Sequence, residues 1–353
     1  MHNLQDAKDM ATPARPMNRT RNDRPRVRAA VIGATGYAGQ ELLRLLSRHP
    51  SVDLSLATAS QASSSPRRLP ALARIFDGDV SPLDIPAVID RAEVAFLALP
   101  ESASAEIAPS LLQAGLRVVD LSGAFRLREA STRARWYPAT TSWPEGVAYG
   151  LTEFELTSIA PARLLSNPGC YPTAALLALL PLARAGLLAP SSDIVIDAKS
   201  GISGAGKAPS ERTHFSENHG SVAAYGVFGH RHAPEMEQAL GREVTFVPHL
   251  VPLDRGLMAT VHTRLTPGTS AAAVASAFDR AYAAAPFVRV TGDALPEIKH
   301  VVWTNFCDVG WKFDPDGARI CLVSVIDNLV KGAAGQAVQN FNVMYGLPET
   351  QGL

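Results

Sequence analysis

The chain has 353 residues, 46% of them hydrophobic and 19% charged, which is enough for two domains and a large core and too apolar for a disordered protein. Lysine plus arginine and aspartate plus glutamate both total 33, so no global basic field points to a nucleic acid or a membrane partner. No apolar run reaches the roughly 18 residues of a spanning helix. Three cysteines, Cys170, Cys307 and Cys321, are too few and odd in number for a disulfide framework, and no Cys/His spacing resembles a metal site; a reducing, cytoplasmic setting without a metal is expected.

Residues 1–25 are polar, carry Asp6, Asp9 and Asp23 and lack an apolar central stretch, so they read as a disordered tail rather than a secretory or organelle leader. Structure is expected to begin at "VRAAVIGATGYAGQELLRLLSRHP". A β-type run over 27–32 meets three glycines and then a helix whose Leu42, Leu43, Leu45 and Leu46 share a face. Further buried-strand candidates follow in "VDLSLATA", "AEVAFLALP" and "LRVVDLS", with helical stretches between most of them. Alternating strand and helix predicts an α/β fold with a Rossmann-type parallel sheet over 26–165. After about residue 165 the runs "DIVIDAKSG", "EVTFVPHLVPLDRGLMATVHTRL" and "ARICLVSVID" suit a mixed sheet, predicting an α+β substrate and oligomerisation domain over 166–326.

The turn "GATGYAG" spaces Gly33, Gly36 and Gly39 by three, with Thr35, Tyr37 and Ala38 between them. Glycines let the backbone turn tightly against a pyrophosphate seated on the helix N-terminus, although G-x-x-G-x-x-G is a weaker signal than G-x-G-x-x-G. The next strand ends in Ala57, Thr58, Ala59 and Ser60 with no acid for a ribose 2′-hydroxyl, while Asp53 stands at its other end. Ser63, Ser64, Arg67 and Arg68 follow, a hydroxyl and guanidinium set suited to a 2′-phosphate or merely a solvated loop. NADP(H) is the expected cofactor.

"SNPGCYPT" puts Cys170 where a glycine-proline turn enters an apolar helix, and there the helix N-terminus lowers a thiol pKa from about 8.5. Position alone leaves a reactive thiolate and a buried structural thiol equally open. Cys307 and Cys321 lie in strand-like runs and read as core. "HRHAPE" offers His230 and His232, two apart, with Glu235 behind them; an extended "HRH" would turn both imidazoles to one face. Arg126 in "DLSGAFR" follows a strand-end turn, and Lys207 sits in the glycine- and hydroxyl-rich loop "SGISGAGKAPS", a candidate anion nest.

Taken together, "GATGYAGQELLRLL", "FLALP", "DLSGAFRL", "SNPGCYPTAALLAL", "SGISGAGK", "HRHAPEME" and "DNLVKGAAGQAVQNFN" resemble, in order, the N-acetyl-γ-glutamyl-phosphate reductases, arginine-pathway enzymes related to the aspartate-semialdehyde dehydrogenases. The resemblance runs from about residue 27 to the C-terminus. It implies NADPH-dependent reduction of N-acetyl-γ-glutamyl phosphate to the semialdehyde and phosphate through a thioacyl enzyme on Cys170. His230 or His232 would be the acid/base, stabilising the thiolate as an imidazolium. Arg126 would grip phosphate through its bidentate fork, with Asn167, Ser200, Lys207 and Glu235 as further substrate-binding candidates. Pro100, Ser203, Gly204 and Asn328 join the cofactor set. The resemblance also implies that the segment 327–353 returns to the cofactor domain and that the protein is a homo-oligomer, a dimer or tetramer. Two departures stand out: Ala124 replaces the acid of the family's usual "SADFRL", and Glu101 replaces a frequent histidine.

Overall fold

A computed structural model describes residues 25–60 and 65–353. Of the expected tail only residue 25 is among them, and Ser63 and Ser64 lie outside the described residues.

Six short strands make a wholly parallel sheet: β1 (Val27–Ile32), β2 (Val52–Thr58), β3 (Val94–Leu97), β4 (Arg117–Asp120), β5 (Ala148–Tyr149) and β6 (Leu164–Ser166), in the order β2-β1-β3-β4-β6-β5. Alternate residues of β1 and β3 enter separate cores on the two faces, as a sheet covered on both sides requires. On one face Ala29, Val31, Val94 and Phe96 pack with Leu42, Leu43 and Leu46 of α1 (Tyr37–Leu46). On the other, Ala30, Ile32, Ala95 and Leu97 meet α2 (Ile85–Arg91) and α3 (Glu101–Gln113). Two short helices, α4 (Ala130–Trp136) and α5 (Thr152–Ile159), fill the connections to β5 and β6.

A second, seven-stranded sheet is mixed: β7 (Val195–Gly201), β8 (Ala223–Ala224), β9 (Thr245–Val251), β10 (Leu257–Arg264), β11 (Val288–Gly292), β12 (Cys307–Phe313) and β13 (Arg319–Ile326), ordered β11-β12-β13-β10-β7-β9-β8. One face buries Ile196, Ala198, Ala259, Val261, Ile320 and Leu322 against α6 (Cys170–Arg184) and α9 (Ala271–Tyr282). From Tyr171 to Leu182 every residue of α6 is buried, which is why that stretch is apolar all round. On the opposite face Ile298, Val301 and Phe306 cover Met258, Val323 and Val325, while Val195, Asp197, Lys199 and Thr260 are half-buried and His262 is exposed. Cys307 is fully buried in the core, and Cys321 is only partly buried, at the edge of the Val301, Val323 and Val325 cluster.

The excursion between β7 and β9 holds α7 (Phe215–Asn218) and α8 (Ala233–Leu240). After β13 the chain passes through a π-turn (Val330–Ala334) into α10 (Gly335–Met344), whose Ala337, Val338, Phe341 and Met344 join the α1 core of the parallel sheet. No helix among the described residues is long and apolar enough to cross a membrane.

Candidate active site

The site lies at the carboxyl ends of β1, β3 and β4, where α1, α6 and the π-turn converge on a cavity of about 310 Å³. Gly33 has φ +87°, and a Cβ there would come within 2.2 Å of the Ala98 carbonyl oxygen. Its N–H and that of Ala34 both donate to Thr58 O at the end of β2 (3.0 and 2.9 Å). The turn delivers Gly36 as the uncapped N-terminus of α1, and Gly36, Tyr37, Ala38 and Gly39 line the cavity. Free N–H groups, no Cβ at Gly36 and no carboxylate at the end of β2 fit a phosphate-bearing dinucleotide. Gly33 and Thr35 shape the turn without lining the cavity; Thr35 O instead accepts from Lys207 Nζ of the second domain (3.3 Å). Ser60 and Arg67 are exposed beyond β2, and Pro100 is the exposed residue preceding α3; none of the three lines the cavity.

Cys170 is the first residue of α6, partly exposed on the cavity wall. The expected depressed thiol does not appear. Burial pushes Cys170 up to about 11, outweighing the Arg126 charge and the N–H groups of Tyr171 and Cys170 itself. Sequence showed the helix end; it did not show Gly332 closing over it, so near that a Cβ would fall 2.7 Å from Cys170 Cβ.

The two histidines are adjacent through a turn, not an extended strand. His230 Nδ1 accepts the His232 N–H (3.1 Å), and Pro234 follows in the first turn of α8. Their rings meet edge to face at 4.7 Å, yet only His232 lines the cavity. His230 is turned among Tyr171, Tyr225 and Phe246. Arg126 Nη1 stands 3.3 Å from His232 Nε2, and a guanidinium only donates, so the Nε2 lone pair accepts from Arg126 and the proton sits on Nδ1, which is buried without a partner. Burial holds His230 down at about 4, with Arg231 adding to the shift, and burial, His230, Arg126 and Arg231 hold His232 well below 6.5. The expected imidazolium is therefore absent: both rings are neutral at pH 7.

Arg126 also departs from expectation. Its Nε donates to Asn167 O and its Nη2 to Leu121 O, both at 2.9 Å, while Nη1 pairs with Glu235 at 3.4 Å. The fork edge expected to grip phosphate is thus committed to the main chain, although Arg126 lines the cavity. Burial opposes its charge, but Glu235, Tyr137 and Tyr149 raise its pKa overall. Glu235 has no exposed surface; it accepts from Gly169 N (2.9 Å) and Tyr149 OH (2.7 Å) and stands behind the site rather than facing a substrate. Asn167 is buried too, donating to Ala333 O (3.1 Å) and accepting from Asn340 (3.1 Å), and Ser200 Oγ donates to Gly201 O (3.1 Å). Ser203, Gly204, Lys207 and Asn328 do line the cavity, with Asn328 bridging Gly256 N (2.8 Å) and Ser203 Oγ (3.0 Å).

Sequence reasoning missed Asp120, which organises the Arg126 turn by accepting from Ser122 N and Oγ (3.0 and 2.8 Å). It also missed Gly169 and Gly332, whose only signal was glycine beside "CYPT" and inside "LVKGAAG". Ala124 is buried beside Phe125 in the core under β4, where no carboxylate is solvated. Among the described residues no group of His, Cys, Asp and Glu converges to hold a metal ion.

A parallel dinucleotide sheet joined to a mixed sheet, with a cysteine at the first helix between them, defines a semialdehyde dehydrogenase. Residues 28–162 match the semialdehyde dehydrogenase NAD binding domain, and residues 170–328 match the semialdehyde dehydrogenase dimerisation domain. The chain is 43% identical to the N-acetyl-gamma-glutamyl-phosphate reductase of Brevibacillus brevis, covering 93% of this chain and 98% of that one. It is 45% identical to the enzyme of the same name from Shouchella clausii, covering 92% and 97%. The chain belongs to the N-acetyl-gamma-glutamyl-phosphate reductase family. In fold it is similar to aspartate semialdehyde dehydrogenase II from Vibrio cholerae (TM-score 0.71, 20% identity, 92% and 99% covered). It is likewise similar to the Candida albicans aspartate semialdehyde dehydrogenase with NADP (TM-score 0.68, 17% identity, 91% and 98% covered).

Proposed function

We infer that the protein reduces N-acetyl-γ-glutamyl phosphate to N-acetylglutamate semialdehyde and inorganic phosphate with NADPH, a step of arginine biosynthesis. The observation that carries this reading is the convergence of Cys170, His232 and Arg126 on one cavity floored by the glycine turn. Cys170 Sγ attacks the acyl carbon, the carbon–oxygen bond to phosphate breaks, and a thioester remains; a thioester accepts a hydride where a carboxylate would not. NADPH, when bound, supplies that hydride. His232 Nε2, once it exchanges its contact with Arg126, is the acid/base, taking the thiol proton and returning it to the oxygen of the thiohemiacetal, which then collapses to aldehyde and thiol. His230 orients His232, Arg126 presents its uncommitted Nη2 N–H to substrate oxygens, and Lys207 supplies a cation at the rim, while Ser203 and Gly204 stay with Asn328 in the cofactor set. Gly36 to Gly39 and Asn328 hold the dinucleotide, with Ser60, Ser63 and Arg67 the candidates for its 2′-phosphate.

The half-buried part of the second sheet's outer face supports assembly into a homo-oligomer through that surface, with a dimer as its smallest unit. Three free cysteines support a reducing, cytoplasmic setting. The decisive assay follows NADP reduction by purified protein with phosphate and either N-acetylglutamate semialdehyde or aspartate semialdehyde. Turnover of the second alone sinks the substrate assignment.

A further inference from the structure

The π-turn after β13 has two sides, and only one has been used so far. Asp327 Oδ1 starts the turn by accepting from Leu329 N (2.8 Å) and Val330 N (3.0 Å). Its front presents Leu329, Gly332 and Ala333 to the cavity, with Gly332 against Cys170. At its back Lys331 carries a cation into the interior. Its side chain and that of Glu153 on α5 have no exposed surface, and Nζ donates to Glu153 Oε1 (2.6 Å) and Gln339 Oε1 (2.8 Å). Gln339, on α10, also bonds Glu153 (3.2 Å), Glu349 (2.9 Å) and Asn305 (3.1 Å).

As a stabilising device this cluster is poor. Taking two charges out of water costs several kcal/mol each, and a well-packed apolar pair serves as well or better. Glu153 Oε2 and Asn305 Oδ1 are moreover buried with no partner, so the network is not even fully satisfied. What an ion pair does supply is register. A π-turn inserts one extra residue and is otherwise rare, concentrated where function depends on local placement. A slip of one residue in the turn would take Lys331 off Glu153 and Gly332 off Cys170 together.

We propose that Lys331, through its buried pair with Glu153, is a positioning residue: it locks the π-turn in register so that Gly332 sets the Cys170 side chain and Leu329 and Ala333 shape the adjoining wall. The proposal rests on the acyl-phosphate reductase reading for its effect on turnover, but not for its effect on the thiol. The test uses the full-length double variant Lys331→Met/Glu153→Leu, which removes both charges and leaves none stranded, beside Glu153→Gln, which keeps a hydrogen-bond acceptor. Each is measured for circular dichroism, kcat with the semialdehyde, and the rate at which iodoacetamide alkylates Cys170, followed by peptide mass.

The expected result is a folded protein with kcat lowered about tenfold or more and a Cys170 alkylation rate altered by about threefold or more, in keeping with the steep cost of small misplacements. A folded variant whose alkylation rate matches the wild type overturns the proposal, whether or not kcat changes. If the double variant does not fold, Glu153→Gln is judged by the same rate. If the wild type fails to turn over the semialdehyde, the reaction assignment falls, while the alkylation comparison still decides the role of Lys331.

Discussion

Gly169 lies directly beneath the imidazole of His232: a Cβ at residue 169 would stand 2.4 Å from Nε2 and 2.7 Å from Cε1. The backbone at Gly169 (φ −67°, ψ 154°) is open to any residue, so a substitution there acts on the ring alone. His232 is hemmed in by Tyr171, His230 and Arg126 and has little room to yield. Gly169→Ala is expected to lower kcat by about tenfold or more while leaving NADPH binding near normal. Steady-state kinetics and fluorescence titration separate the two; an unchanged kcat would remove His232 from the chemistry.

Cys170→Ser is expected to bind NADPH and lose phosphate-dependent oxidation of the semialdehyde by orders of magnitude, since an alcohol at neutral pH is a far weaker nucleophile than a thiol. Near-normal turnover by the serine variant contradicts the thioacyl route.

The free-enzyme thiol is expected to react late in pH. With Cys170 held up at about 11, its alkylation rate should climb about tenfold per pH unit from 7 to 10 rather than level off near 9. The sign for stability is adverse at high pH: an unfolded thiol ionises near 8.5, so the folded state loses stability between there and about 11. Mass mapping of alkylated peptides distinguishes Cys170 from the half-exposed Cys321. A plateau below pH 9 would show that the helix end outweighs burial.

His232→Asn should cost about 10²- to 10⁴-fold in kcat/KM, and His230→Asn considerably less, because His230 supports its neighbour without lining the cavity. Both rings are neutral in the folded chain, so as pH falls below 6.5 the unfolded state gains protons first and folding stability declines. The acid limb of kcat/KM should accordingly lie below pH 6.5 and vanish in the His232 variant. Equal losses in the two variants would return the question to a shared role.

Arg255 joins the domains behind the site, donating to Glu41 Oε2 of α1 (2.7 Å) and Asp327 Oδ2 (3.2 Å) with Trp303 stacked 3.5 Å above its guanidinium. Both carboxylates are buried, and Arg255→Met takes a charge partner from each while leaving Glu41 with Arg44 and Asp327 with the N–H groups of Trp303, Leu329 and Val330, so it should destabilise by about 1–3 kcal/mol. Urea unfolding measures the loss; a change under about 1 kcal/mol would class the clamp with exposed pairs.

Much of this was legible in the residues, for identifiable reasons. The β1–turn–α1 unit shows because three glycines, a short apolar run and a leucine face all lie within twenty residues. The mixed second sheet shows because β7, β9 and β10 alternate buried and less buried positions. What could not be read were consequences of contacts distant in sequence. The raised thiol and the neutral His232 follow from burial, with Gly332 closing over Cys170 and His230 and Arg126 beside His232, and the inward face of Glu235 depends on Tyr149 and Gly169. "HRH" forms a turn because His230 caps the His232 N–H and Pro234 begins a helix, a local event that two-residue spacing does not reveal.

The helix α10 puts Phe341 against Phe96 of the parallel sheet, ring centroids 5.8 Å apart, although 245 positions of chain separate them. During synthesis, then, the first sheet emerges from the ribosome with one side of its core open and waits for α10 to follow. The cofactor-binding half is translated well before the helix that seals it, so a chain stalled before α10 would expose the Leu42, Val94 and Phe96 face to chaperones and proteases even with every residue of its glycine turn in place.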